Sequence, residues 1–130
     1  PEGSLAAIIV LDQFSRNMFR ESKQSFAEDV LALKIAEDMV NSGYDKKIAL
    51  KRRGAIYMPY MHSESREVHG RALQIFENYS KETGNTSSLE YEIKHKEIID
   101  RFGRYPHRNN ILGRRFASGE EEFNKKHGGF

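Results

Sequence analysis

Apolar residues recur along the chain in blocks whose spacing fits helices and nowhere fits strands. After Ser4, the residues Leu5, Ile8, Ile9, Leu11 and Phe14 surround most of a helical circumference, which predicts a deeply buried first helix. In SFAEDVLALKIAEDMVNSG, residues 25–43, Phe26, Val30, Leu33 and Val40 return at helical intervals, Ser25 and Glu28 form a capping box, and Gly43 supplies the stop. Residues 45–58 predict a third helix, weakened at Gly54 and ended by Pro59, since proline lacks an N–H and disfavours helix in the residue before it. Ser63 is placed to cap a fourth helix that turns Val68, Leu73 and Phe76 inward and ends at Gly84. A fifth opens at Ser87 with Glu90 as its box partner, carries Ile93, Ile98, Ile99 and Phe102, and stops at Gly103; Ser118 and Glu121 repeat the box before a short terminal helix. No stretch alternates with period two for long enough to argue a sheet, and no internal repeat emerges. The pattern predicts an all-α fold, one domain over residues 1–130 with about five to six helices in a compact antiparallel array.

Composition narrows the function classes. Hydrophobic residues make up 38% of the 130 positions, and eight Phe with six Tyr supply bulk for one real core, which argues against a disordered chain. With 21 basic against 19 acidic residues the formal net charge is +2, too small for a general attraction to polyanions. The absence of cysteine removes disulfides and thiolate chemistry, and the longest apolar run, Leu5 to Leu11, is far too short for a membrane span. A cytoplasmic protein is expected, and nothing calls for a cofactor.

The densest polar chemistry sits in RFGRYPHRNN, residues 101–110, where three arginines, a histidine and two asparagines surround one glycine and one proline. Its turn needs no ligand, because Gly103 fits a left-handed helix end and Pro106 prevents continuation. It does gather backbone N–H groups and the side chains of His107, Arg108 and Asn109, as an anion nest would. On the first helix Asp12 and Arg16 are four apart, as are Gln13 and Asn17, so a polar band runs along an otherwise apolar element. A buried carboxylate needs a cation, and Asp12 is expected to meet Arg104 or Arg108, whose planar guanidiniums suit a carboxylate and a phosphate equally.

Two readings follow. In one, an Asp/Arg/His/Asn cluster organises a small binding or scaffold module. In the other, an enzyme of unassigned reaction clamps a small anionic substrate with arginines while His62 or His107 moves a proton. The candidate ligand-binding set is Asp12, Arg16, Asn17, Glu64, His95, Arg101, Arg104, Arg108, Asn109 and Arg114. Ser63, between His62 and Glu64, reads as a helix cap rather than a nucleophile. Glu92 and His95 have the E-x-x-H spacing of carboxylate di-iron bundles, but a second such pair is missing, and no metal site is expected. Nucleic acid is a poor fit, since Glu90, Glu92, Glu97, Asp100 and Glu120 to Glu122 interleave with Arg101, Arg104, Arg108, Arg114 and Arg115.

LDQFSRNMFR with FAEDVLAL, then YMPYMHSES, then HKEIIDRFGRYPHRNNILGRR followed by SGEEEF, resemble the bacterial family catalogued as domain of unknown function 924, from about Leu5 to about Phe123. The resemblance implies a tetratricopeptide-like superhelix and assigns no activity. It also implies further helices upstream, so that this sequence corresponds to the C-terminal portion of a longer chain. The first helix would then need cover from a second copy or from that upstream segment. Ser15 stands where family members commonly have proline.

Overall fold

Alanines let the central helices approach one another closely. The computed structural model describes residues 2–10 and 28–127, and within them α1 spans Glu2–Ile8, α2 Asp29–Ser42, α3 Gly54–His62, α4 Arg66–Thr83, α5 Ser87–Phe102, α6 Asn109–Leu112 and α7 Glu120–His127. Ala32 and Ala36 of α2 and Ala72 of α4 are fully buried, and α1 and α2 pack on α3, α3 on α4, and α4 on α5. The main core joins Leu5, Ile8, Met39, Ile56, Tyr57, Tyr60 and Phe76. A second cluster, Ile98, Ile99 and Tyr105 with Phe102 and Phe123, lies beneath α5 and α7. Among the described residues there is no strand, and the fold is all-α. Residues 84–86 connect α4 to α5, a link short enough to make the two a helical hairpin.

Several local expectations change. Residues 45–58 do not form one helix. Arg53 donates from Nε to the Ile48 carbonyl at 3.0 Å and from Nη2 to that of Lys46 at 3.2 Å, folding the segment into two 3₁₀ turns, Tyr44–Lys47 and Leu50–Arg52. Asp45 is buried there and accepts from the Tyr57 hydroxyl at 2.7 Å. Gly54 starts α3 instead of weakening its middle, and Pro59 lies inside α3, buried, where its missing N–H costs one intrahelical bond.

The caps shift as well. Ser65, not Ser63, caps α4 by accepting from Val68 N–H, while Ser63 Oγ accepts from Ser65 N–H at 3.1 Å. Thr86 precedes α5 and donates to Glu90 Oε1 at 3.2 Å, but the Thr86 side chain caps no backbone N–H of α5, and the expected box of Ser87 and Glu90 does not form. Before α7, Glu120 rather than Glu121 reaches back to a backbone N–H, that of Ala117, at 2.6 Å. Val30 and Ile93, expected inward, are 83% and 41% exposed, because Ala32 and Ala36 of α2 and Glu92 and His95 of α5 take the buried faces. Leu11, Phe14, Ser25 and Phe26 lie outside the described residues.

Gly103 ends α5 with φ of 76°, and a Cβ built there would meet Arg66 Nη2 at 3.2 Å. Gly103→Ala is expected to lower unfolding free energy by roughly 1–2 kcal/mol in urea titrations, the cost of a left-handed side-chain residue.

Candidate functional site

RFGRYPHRNN folds back onto the end of α3, where a helix terminus leaves carbonyls without intrahelical partners. Three successive carbonyls each accept a side-chain donor. The Tyr105 hydroxyl donates to Met61 O at 2.5 Å, Arg108 Nη2 to His62 O at 2.8 Å, and His69 Nε2 to Ser63 O at 2.6 Å. The arginine-rich block is therefore, in large part, a clasp on one helix end.

Glu64 anchors the block from the other side. Both of its oxygens receive Arg114, Nη1 at 3.0 Å and Nη2 at 3.1 Å, and Oε2 also accepts from Tyr105 N–H at 2.6 Å. Burial alone would raise the Glu64 carboxyl, but these bonds and the charges of Arg108 and Arg114 hold it below the usual range. Arg114 Nε donates to Asn109 Oδ1 at 2.9 Å, and the Asn109 amide, fully buried, donates to Glu120 Oε1 at 3.2 Å. Glu120, only 1% exposed, takes Arg104 in a two-pronged pair, Nε at 2.9 Å and Nη2 at 2.7 Å. The Arg104 bonds, together with Ala117 N–H and Asn109, hold its carboxyl down to about 2.

Beneath these pairs lies Tyr105, buried among cations and imidazoles. Its ring centroid is 6.2 Å from that of His69, 5.5 Å from His95 and 5.7 Å from His107, with the Arg108 guanidinium carbon 4.7 Å over its face. His95 donates from Nδ1 to Tyr91 O at 2.7 Å, and burial pushes its pKa down to about 4, which keeps the ring neutral near pH 7.

A cleft opens beside this network. It encloses about 320 Å³ between the start of α2 and the end of α3, with Arg108, Asp29, His62 and Glu64 as its charged and titratable groups and Val30, Leu33, Pro59 and Leu112 as apolar wall. Arg108 is buried, and its guanidinium lies 3.9 Å from the carboxylates of both Asp29 and Glu64. Those spacings allow Coulomb attraction but exceed hydrogen-bonding distance.

Among the candidate residues, Glu64, Arg104, Arg108, Asn109 and Arg114 come together in one network, and His62 lines the cleft. His95 and His107 sit against Tyr105. Arg101 is set apart, exposed and stacked with its guanidinium carbon 4.6 Å over Phe102 and 5.7 Å over Phe123. Asp12, Arg16 and Asn17 lie outside the described residues, and with them the expected meeting of Asp12 with Arg104 or Arg108. Sequence reading missed Asp29, His69, Tyr105 and Glu120. Among the described residues no three His, Asp or Glu side chains cluster as a metal centre requires.

The same chain has relatives. No curated protein matches it. A solved structure described as a protein of unknown function from Agrobacterium tumefaciens is 34% identical and superposes with a TM-score of 0.85, covering 96% of this chain and 68% of its own. Residues 1–128 match the family described as bacterial protein of unknown function, DUF924. By that match, over nearly its whole length, the chain belongs to the DUF924 family.

Proposed function

We propose that the protein is a helical binding module whose cleft beside Arg108 takes a small anionic ligand with an apolar body. The observation that carries this is the composition of the cleft: a buried guanidinium, flanked by the carboxylates of Asp29 and Glu64, beside a wall of Val30, Leu33, Pro59 and Leu112. Arg104 and Arg114 are engaged with Glu120 and Glu64, so they frame the site and do not clamp a ligand. Arg108 brings its positive charge to the edge of this wall, with the Asp29 and Glu64 carboxylates each 3.9 Å from its guanidinium, and a ligand carboxylate or phosphate would be drawn to that charge. An apolar body on the ligand would cover the exposed Val30.

His62 on the cleft wall is the observation that favours the second reading, an enzyme in which this imidazole moves a proton on the bound anion.

Melting curves with inorganic phosphate and a series of straight-chain monocarboxylates test the site. A saturating carboxylate is expected to raise the melting temperature, since occupancy at a hundredfold the dissociation constant adds about 2.7 kcal/mol. Val30→Trp, at a solvent-facing position, is expected to leave the melting temperature of the free protein unchanged and to abolish the rise. A flat response of the parent protein across the series overturns the reading.

A further inference from the structure

His69 and Glu92 are both fully buried, and neither belongs to the cleft. Hydrogen-bond geometry fixes the protons around them. His69 Nε2 lies 2.6 Å from the Ser63 carbonyl, which can only accept, so Nε2 carries hydrogen. The Tyr105 hydroxyl, 3.0 Å from the same nitrogen, gives its own hydrogen to Met61 O. On the far side of the ring, His69 Nδ1 faces Glu92 Oε2 at 2.8 Å. A lone pair and an ionised carboxylate at that distance repel, so a further proton must lie between them. It sits either on Nδ1, making an imidazolium and a carboxylate, or on Glu92, making a neutral ring and a carboxylic acid. Both forms contain the same number of protons and no net charge.

We propose that His69 and Glu92 hold one proton in common in the folded protein, and that this proton locks the junction of α3, α4 and α5 and makes its stability fall as the medium turns alkaline. Glu92 Oε1 has no hydrogen-bond partner among the described residues, so a bare carboxylate is poorly supported here. Burial correspondingly pushes the Glu92 carboxyl up, against the pull of His69 and Lys96. The charged and titratable groups that act on the pair or its neighbours are Lys96, Asp100 and His95 on α5, His62 at the end of α3, and Tyr105 and Arg108 in the loop. The shared proton is independent of the ligand reading and survives its failure.

The sign follows from counting protons. In the unfolded chain histidine loses its proton near pH 6.5 and glutamate near 4.3. Above about pH 6.5 the unfolded pair therefore binds none, and for as long as the folded pair keeps its proton, folding takes one up and stability drops with rising pH. Among the described residues, the shifted His95, Tyr60 and Tyr57 act outside this window. His95, lowered in the fold to about 4, has made its full contribution by about pH 6.5, and Tyr60, raised mainly by burial to about 12, and Tyr57, raised further, act only above about pH 10.

Urea unfolding between about pH 7 and 9 tests this. The unfolding equilibrium constant of the parent is expected to rise about tenfold per pH unit. Glu92→Gln presents an amide N–H to the neutral ring without a shared proton, and its unfolding constant is expected to stay flat over the same range. A flat parent curve, or a Glu92→Gln curve as steep as the parent's, overturns the proposal. Should Glu92→Gln fail to fold, a pH indicator following the unfolding of the parent at about pH 8 decides alone: release of one proton per chain supports the shared proton, and release of none refutes it.

Discussion

Tyr105→Ala is expected to destabilise the protein by about 4 kcal/mol or more, the largest effect of any single substitution considered for this chain. Its ring is 1% exposed and fills the space between Ile98 and Ile99 on one side and three imidazoles on the other. Removing it opens a cavity and also withdraws the donor from Met61 O and the aromatic face from Arg108. Tyr105→Phe separates these contributions. It keeps the packing and leaves a buried carbonyl unsatisfied, a change that costs about 1–3 kcal/mol. Urea unfolding of the two variants and the parent measures both numbers. Equal losses for Phe and Ala would mean that the hydroxyl alone matters; a loss below about 1 kcal/mol for Ala would show that the block does not clasp α3.

Helix periodicity made the architecture legible, because it depends only on local spacing. Of the inward residues expected on α4, Val68 and Phe76 are buried, while Leu73 is half-buried and its neighbour Ala72 takes the fully buried position. His69, next to Val68, is also fully buried, and sequence reading found neither its burial nor its partner. Glu92 and His69 are 23 residues apart, and only the pairing of α4 with α5 brings them together. The caps of α4 and α7 were displaced by one or two positions, since SES and ASGE each offer neighbouring side chains able to do the same work. Residues 44–53 misled for another reason: Arg53 turns back on the backbone of its own segment, and spacing holds no trace of that.

Within RFGRYPHRNN the arginines look equivalent in sequence and differ in space. Arg104 and Arg114 each grip a carboxylate with two nitrogens, Glu120 and Glu64, and so hold α6 and α7 against the end of α3. Arg108 is buried, caps His62 O and faces the cleft. One stretch thus combines structural pairing with a charge set beside open volume.

Glu120 is where the structural half of that division is most exposed to test. Four donors converge on its carboxylate, and the folded protein holds it ionised down to about 2, whereas in the unfolded chain a glutamate titrates near 4.3. A group lowered on folding contributes stability that is complete above the unfolded value and is lost as pH falls through the folded one. Stability of the parent is therefore expected to decline between about pH 4.5 and pH 2. Glu120→Gln keeps the shape but removes the charge and turns one oxygen into a donor that faces Arg104. At neutral pH it is expected to cost on the order of 2 kcal/mol, the range for losing hydrogen bonds to a charged group. Because the Gln variant has no proton to take up at this position, its stability should fall less steeply in acid, and the two curves should converge near pH 2. Parallel curves across that range would show that Arg104, Asn109 and Ala117 do not depend on the charge of Glu120.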